Sequence, residues 1–278
     1  MKWYTCCNEV GLINGGDCLI AALASCRAKT NLIPHLLFDG RPNSLTEHFK
    51  QQGVKVLYQE LSFKKSIENE RGKARIDYNW LLANALKFDI ACCETSDSHI
   101  LYTDTDVLFH KDLLLNAPHP PLSAVNEIII EKNTAFETRR AFNAGVMIMN
   151  VQFMKSLLPT FRIKCVELAQ GRYVNSWYDQ GILNSVCKGA WSTLPQEYNC
   201  RPFFGSAGDP IITHFQFVKP HNVTHDGKLI GLDSPAANLA RTQIKTYTAL
   251  KSQVEDYIST AARRAWMDFS HNGRNGLA

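Results

Sequence analysis

The stretch His99-Ile100-Leu101-Tyr102-Thr103-Asp104-Thr105-Asp106-Val107-Leu108-Phe109 sets the fold: an apolar β-strand that runs straight into two carboxylates. His99 to Thr103 reads as strand, and Asp104-Thr105-Asp106 falls at its carboxyl end. In open α/β sheets that edge is where ligands collect. Two carboxylates one residue apart there can turn together toward one hard cation, and oxygen donors suit Mn²⁺ or Mg²⁺. A D-x-D triplet is common by itself, so its neighbourhood carries the reading.

Toward the N-terminus, short apolar runs alternate with helical patterns, as strand-helix-strand units of a largely parallel sheet do. Trp3–Cys7 is expected as the first strand, with Gly15-Gly16-Asp17 opening a helix to Ala28 under an Asp17 cap. Leu32–Phe38 and Val54–Tyr58 are the next strands, separated by a helix whose capping box is Ser44-Leu45-Thr46-Glu47. Asp77 is expected to cap one long apolar helix through Ile90.

Toward the C-terminus, Leu122–Asn126 and Gly145–Asn150 read as strands and Val151–Gln170 as a helix closed by Gly171. A helix over Asp179–Lys188 ends at Gly189, and Gly205–Pro210 reads as a loop. Beyond Pro235, Ile244, Tyr247, Val254, Ile258, Ala261 and Ala265 recur at helical spacing, which predicts one long amphipathic helix with a frayed tail from His271. The whole is an α/β chain with a mostly parallel central sheet and flanking helices. Residues 1–235 form one domain, with a nucleotide half to about residue 120, and 236–278 form the C-terminal helix and tail.

With 278 residues, 45% of them hydrophobic and 20% charged, the chain can bury a substantial core. A net charge of +4 from 30 basic and 26 acidic residues, with no basic run, argues against a nucleic-acid partner. Nine cysteines, an odd number without C-x-x-C spacing and mostly in apolar stretches, read as reduced core residues of a cytoplasmic protein. The first residues lack the basic-then-apolar pattern of a secretory signal.

Further segments stand in order beside the D-x-D stretch. They are Phe142-Asn143-Ala144-Gly145-Val146-Met147-Ile148-Met149-Asn150, Asp179-Gln180-Gly181-Ile182-Leu183-Asn184, Leu194-Pro195 with Tyr198-Asn199, and His214-Phe215 with Lys219-Pro220. Together they resemble glycosyltransferase family 8, which includes glycogenin and bacterial lipopolysaccharide galactosyltransferases, over about Lys2 to Pro220. The resemblance implies a GT-A fold, Rossmann-like, that binds a UDP-sugar with Mn²⁺ and transfers the sugar with retention to a glycan or lipid-linked saccharide. UDP-galactose and UDP-glucose are the donors it suggests.

Carried over by position, Asp104 and Asp106 would ligate the metal with His214 as third ligand. Lys219 would meet the diphosphate, Asp179 the donor sugar, and Gln180 the reactive face. Thr105, Asn143, Ala144 and Gly145 would line the donor, with Asn126 where relatives often place an Asp. Uridine would lie near Thr5, Cys6 and Asn8. A basic side chain before the metal motif normally reaches the donor; Arg75 and Lys87 both qualify, and spacing does not choose. Family members usually show a Gly three residues after the His and a Trp after Lys-Pro, where this chain has Phe217 and His221.

Two other readings stay open at this stage. The D-x-D stretch also resembles the nucleophile motif of haloacid-dehalogenase-type phosphatases, which would make Asp104 a nucleophile, though such motifs usually stand near the N-terminus and need a downstream acidic pair. A catalytically silent sugar-nucleotide binder is the other. The C-terminal helix, with Arg241, Lys245, Lys251, Arg263 and Arg264, could pack on the domain or lie on an anionic membrane surface that presents a lipid-linked acceptor.

Overall fold

The computed structural model describes residues 1–113, 120–172, 177–205 and 208–276. In chain order the first elements are β1 (Lys2–Asn8), α1 (Glu9–Lys29), β2 (Ile33–Asp39), α2 (Ser44–Gln51), β3 (Lys55–Tyr58), α3 (Lys64–Glu68), α4 (Tyr78–Ala85) and α5 (Ile90–Cys93). Then follow β4 (His99–Thr103), β5 (Val107–Phe109), β6 (Leu122–Glu131), β7 (Thr134–Asn150), α6 (Val151–Ala169), α7 (Tyr178–Val186), β8 (Trp191–Thr193) and β9 (Ile212–His214). The chain closes with α8 (Pro235–Thr242), α9 (Ile244–Tyr257) and α10 (Thr260–Gly276).

The seven-stranded sheet has the order β3-β2-β1-β4-β7-β6-β8. β3, β2, β1 and β4 run parallel, and β7 enters antiparallel to β4. Apolar clusters cover both faces: Tyr102, Phe142, Met147 and Phe161 on one, Trp3, Leu101, Val146 and Ile148 on the other. Strands buried on both sides need continuous apolar runs, which is why Ile100-Leu101-Tyr102 was so legible. A separate two-stranded ribbon pairs β5 with β9.

Several expected boundaries move for local reasons. Helix α1 begins at Glu9, where the Asn8 side chain accepts from Gly11 N, and it kinks at Gly15 (φ −134°). The Gly15-Gly16 signal was therefore a kink, and Asp17 is a buried residue inside the helix rather than its cap. α1 is long and apolar enough to cross a membrane, but 67% of its apolar window is buried inside the protein. Asn43, one residue earlier than expected, caps α2 in a box with Thr46. Asp77 does accept from Trp80 N, but the helix it caps breaks into α4, a 3₁₀ turn over Leu86–Asp89, and α5.

The strands after the D-x-D stretch are longer than their apolar parts. β6 and β7 form a hairpin whose turn residues Lys132 and Asn133 both have positive φ, as a two-residue hairpin turn requires. Its polar outer half, Thr134–Ala141, shows no apolar alternation. Gly171 (φ +71°) and Gly189 (φ +77°) follow α6 and α7 as expected. Part of the Gly205–Pro210 loop lies outside the described residues.

The single C-terminal helix is three. The chain leaves helical geometry at Ile258, which shifts the phase, so that Ala262 and Phe269 face inward while Ala261 is exposed. α9 packs through Tyr247, Leu250 and Val254, and Trp266 of α10 donates to Leu12 O of α1 at 3.2 Å. Helix α10 continues past His271 to Gly276, and Leu277 and Ala278 lie outside the described residues.

Candidate active site

Asp104 and Asp106 leave the end of β4 in the turn to β5. The pairing Val107↔His214 between β5 and β9 then brings a histidine from more than a hundred residues away beside them. Phe215 N donates to Asp106 O at 2.9 Å, which fixes that register. His214 Nε2 stands 3.8 Å from Asp104 Oδ2 and 3.6 Å from Asp106 Oδ1.

The imidazole is aimed by Asn199, whose Oδ1 lies 3.0 Å from His214 Nδ1. With Nδ1–H donating to that oxygen, Nε2 presents a lone pair to the two carboxylates, the tautomer a metal ligand needs. Burial lowers the His214 pKa, against the pull of both aspartates, so the ring is neutral at neutral pH. Burial pushes the Asp106 carboxyl up, but Lys219 and His214 more than offset this and hold it down at about 2.

Gly145 explains itself in the same place. A Cβ there would lie 2.1 Å from His214 Cε1, so only a glycine lets the strand pass under the ring. Its carbonyl also accepts from Asp104 N at 2.9 Å, tying β7 to the acidic turn.

The donors and acceptors around this centre open on a cleft of about 890 Å³ that also touches Cys6, Asn8, Thr105, Ala144 and Lys219. That volume lies in the range of small-molecule sites. Thr5 is not part of the wall: its hydroxyl is buried in the sheet without a partner among the described residues. Lys219 Nζ ion-pairs with Asp106 Oδ2 and donates to Phe215 O at 2.9 Å.

The two basic candidates sit differently, and neither lines the cleft. Arg75 is exposed and away from the cleft, whereas Lys87, 1% exposed, sits under it. Its ammonium reaches Asp179 Oδ2 at 2.5 Å and Asp104 Oδ1 at 3.2 Å. Desolvation lowers its pKa, but these carboxylates outweigh that and hold it well above the usual lysine range. Tyr102 Oη adds a 2.6 Å bond to Asp104 Oδ1.

At the head of α7, Asp179 pairs with Lys87 instead of capping the helix. Gln180 Oε1 accepts from Ala144 N at 3.0 Å and Asn143 Nδ2 at 3.1 Å, while its Nε2 donates to Glu127 Oε2 at 2.5 Å. Asn143 is similarly engaged: Oδ1 accepts from Gly145 N and Asn199 Nδ2, and Nδ2 donates to Glu127 as well as Gln180. Asn126 is a correction. It turns to Glu137 and Thr193 and does not touch the cleft.

Irregularities on either side of Asn126 in the β6–β7 ladder reverse the alternation, so the neighbouring Glu127 faces the site in its place. Glu127 and Arg201 were not singled out by sequence, and Asn199 entered only within the Tyr198-Asn199 segment, without a role. Arg201 is 2% exposed, and its guanidinium reaches Glu127 Oε1 at 2.5 Å and Asn126 O at 2.7 Å. A buried Arg directly before Pro202-Phe203-Phe204 carries no motif; the nearby Tyr198-Asn199 pair was the only signal.

The profile of glycosyl transferase family 8 matches residues 18–225. The chain therefore belongs to that family and is a glycosyltransferase of the GT-A fold, which sets aside the phosphatase reading. It is similar to galactosyltransferase LgtC, solved in complex with donor and acceptor sugar analogs: 15% identity, 91% of this chain and 95% of that one covered, TM-score 0.59. Mouse xyloside xylosyltransferase 1 in its apo form matches at 12% identity over 78% of this chain and 97% of its own, TM-score 0.54. GlyE of Streptococcus pneumoniae TIGR4 matches at 19% identity over 94% of this chain, which spans 64% of GlyE, TM-score 0.55. No curated protein sequence matches this chain significantly.

Proposed function

We propose that the protein transfers a hexose from a UDP-sugar, UDP-galactose or UDP-glucose, to a hydroxyl of a glycan or lipid-linked saccharide, with Mn²⁺ and with retention. The observation that carries this is the convergence of Asp104, Asp106 and His214 at the mouth of a nucleotide-sized cleft. Two carboxylates and one neutral imidazole of fixed tautomer fit Mn²⁺, since the nitrogen donor tilts a hard-oxygen set toward it. When bound there, the cation offsets the negative charge gathering on departing UDP.

The rest is work for this chain's own residues. Lys219 steadies the diphosphate; Cys6, Asn8, Thr105 and Ala144 shape the donor's bed, and Gly145 makes room for the His214 ring beneath it. Asp179 holds the sugar, with Lys87 fixing its carboxylate. Gln180 lines the cleft as an amide locked by three hydrogen bonds, a preorganised dipole. Its oxygen is already shared by two donors and an amide is a poor nucleophile. Retention is thus assigned to a short-lived oxocarbenium-like species attacked from the leaving-group face, without a lasting covalent adduct.

On this reading, residues before about 120 hold the nucleotide and later ones the sugar and acceptor. Nine free cysteines fit a cytoplasmic setting. Arg241, Lys245, Arg263 and Arg264 are each exposed, and on this reading they offer positive charge to an anionic membrane carrying a lipid-linked acceptor.

The test is UDP release from a panel of UDP-sugars with and without Mn²⁺, beside Asp106→Asn, with the product's anomeric configuration read by NMR. Metal-dependent release from one hexose donor and its loss in the variant are expected. Equal release from both proteins removes the metal assignment, and an inverted product removes the mechanism.

A further inference from the structure

Among the described residues, one cluster of metal-ligating side chains lies outside the centre just described. Asp17 and Cys18 of α1 face His221, the residue that follows Lys219-Pro220, and the ligand atoms of the three lie within 4.8 Å of one another. His221 Nδ1 is 3.0 Å from Asp17 Oδ2. The other carboxylate oxygen, Asp17 Oδ1, is buried with no hydrogen-bond partner among the described residues, in a side chain that is 11% exposed. A buried carboxylate oxygen left unpaired is costly, and a cation is one way to satisfy it. Cys18 and His221 both line the donor cleft, and the His221 side chain, 40% exposed, leaves an entry path from solvent.

We propose that Asp17, Cys18 and His221 form a second cation site on the wall of this cleft, one that takes a Zn²⁺-class ion. Oxygen, sulfur and nitrogen donors in one site suit Zn²⁺, Co²⁺ or Cd²⁺ better than Mn²⁺, which favours the sulfur-free set at Asp104, Asp106 and His214. Three protein ligands leave a fourth position open toward the cleft. Burial keeps the Cys18 thiol protonated, so binding transfers its proton to solvent and the sulfur binds as thiolate. The proposal goes beyond the transferase reading and holds whichever donor sugar the cleft accepts.

The experiment uses Co²⁺ as a probe on the full chain, in wild type and in the Asp106→Asn, Cys18→Ser and His221→Ala variants. A thiolate-to-Co²⁺ charge-transfer absorption is expected in wild type and Asp106→Asn, and Zn²⁺ should displace it. Cys18→Ser should abolish the band, and His221→Ala, a change at a partly exposed position, should weaken Co²⁺ binding about tenfold or more. A band that survives Cys18→Ser, as binding at the exposed Cys92 would give, overturns the proposal, and so does a wild type without the band. Unchanged affinity in His221→Ala also overturns it. Loss of UDP binding in Asp106→Asn with the band intact separates this site from the first.

Discussion

His214 Nδ1 lies 3.0 Å from Asn199 Oδ1, and the Asn199 amide nitrogen donates in turn to Asn143 Oδ1 at 2.8 Å. Through this chain, residues of three elements decide which ring nitrogen faces the carboxylates. Asn199→Ala should therefore weaken Mn²⁺ binding about 10–100-fold while far-UV circular dichroism stays unchanged. Wild-type Mn²⁺ affinity in the variant, measured by calorimetry, would show that the tautomer is set elsewhere.

Lys87 is the sole described cation between Asp104 and Asp179. Lys87→Met leaves a buried carboxylate beside a second one, a loss expected to cost about 3–5 kcal/mol in urea unfolding. Because the penalty is the stranded charge of Asp179, adding Asp179→Asn should recover part of that stability. A double variant no more stable than the single one would contradict this account.

Gly145→Ala tests the contact with His214. The new methyl has no room unless the ring moves, so overpacking of about 1–3 kcal/mol is expected together with a drop in Mn²⁺ affinity. Loss of stability with metal affinity intact would mean that the strand yields and the ring does not.

Acid stability is expected to depend on Glu94, far from the cleft. Burial pushes its pKa up, yet Lys2, the backbone N–H groups of Asp97 and Ser96, and Tyr4 more than offset this and hold it well below the carboxylate range. A depressed folded pKa gives stability that is fully present above the unfolded value, about 4.3, and lost as pH falls toward the folded one. The stability gap between wild type and Glu94→Gln should thus be wide at pH 7 and shrink below about pH 4. A gap that is constant with pH, by denaturant titration, would remove the ionised Glu94 from the explanation.

The readable parts of this molecule are those where one local pattern carries the information. The strand into Asp104 and Asp106 needed only an apolar run and two carboxylates, whereas the glycine at 145 signalled a close approach that the structure makes to the His214 ring. His214 was legible through family resemblance alone, because its partners come from β5 pairing with β9 across the chain. Asn126 failed because a bulge reverses which side a residue faces, something that alternation cannot register. Arg75 and Lys87 differ in burial: Lys87 lies inward on the 3₁₀ turn Leu86–Asp89 while Arg75 is exposed ahead of α4, a difference that residue type alone does not carry. Arg201 bonds Glu127, and Glu127 and Asn199 both bond Asn143, so these residues act through a network of long-range polar contacts that leaves no spacing to find.

Phe217 holds φ +65° in the loop after His214, with half its surface exposed and its ring 5.7 Å from that of Phe203. That backbone region costs a bulky residue about 1–2 kcal/mol that glycine does not incur. The position thus sets heat tolerance against whatever the ring does at the cleft wall. Libraries randomised at 217 and selected only for survival of heating should converge on Gly or Asn. Libraries that must also transfer sugar should keep an aromatic residue, so the two selection regimes would part at this single codon.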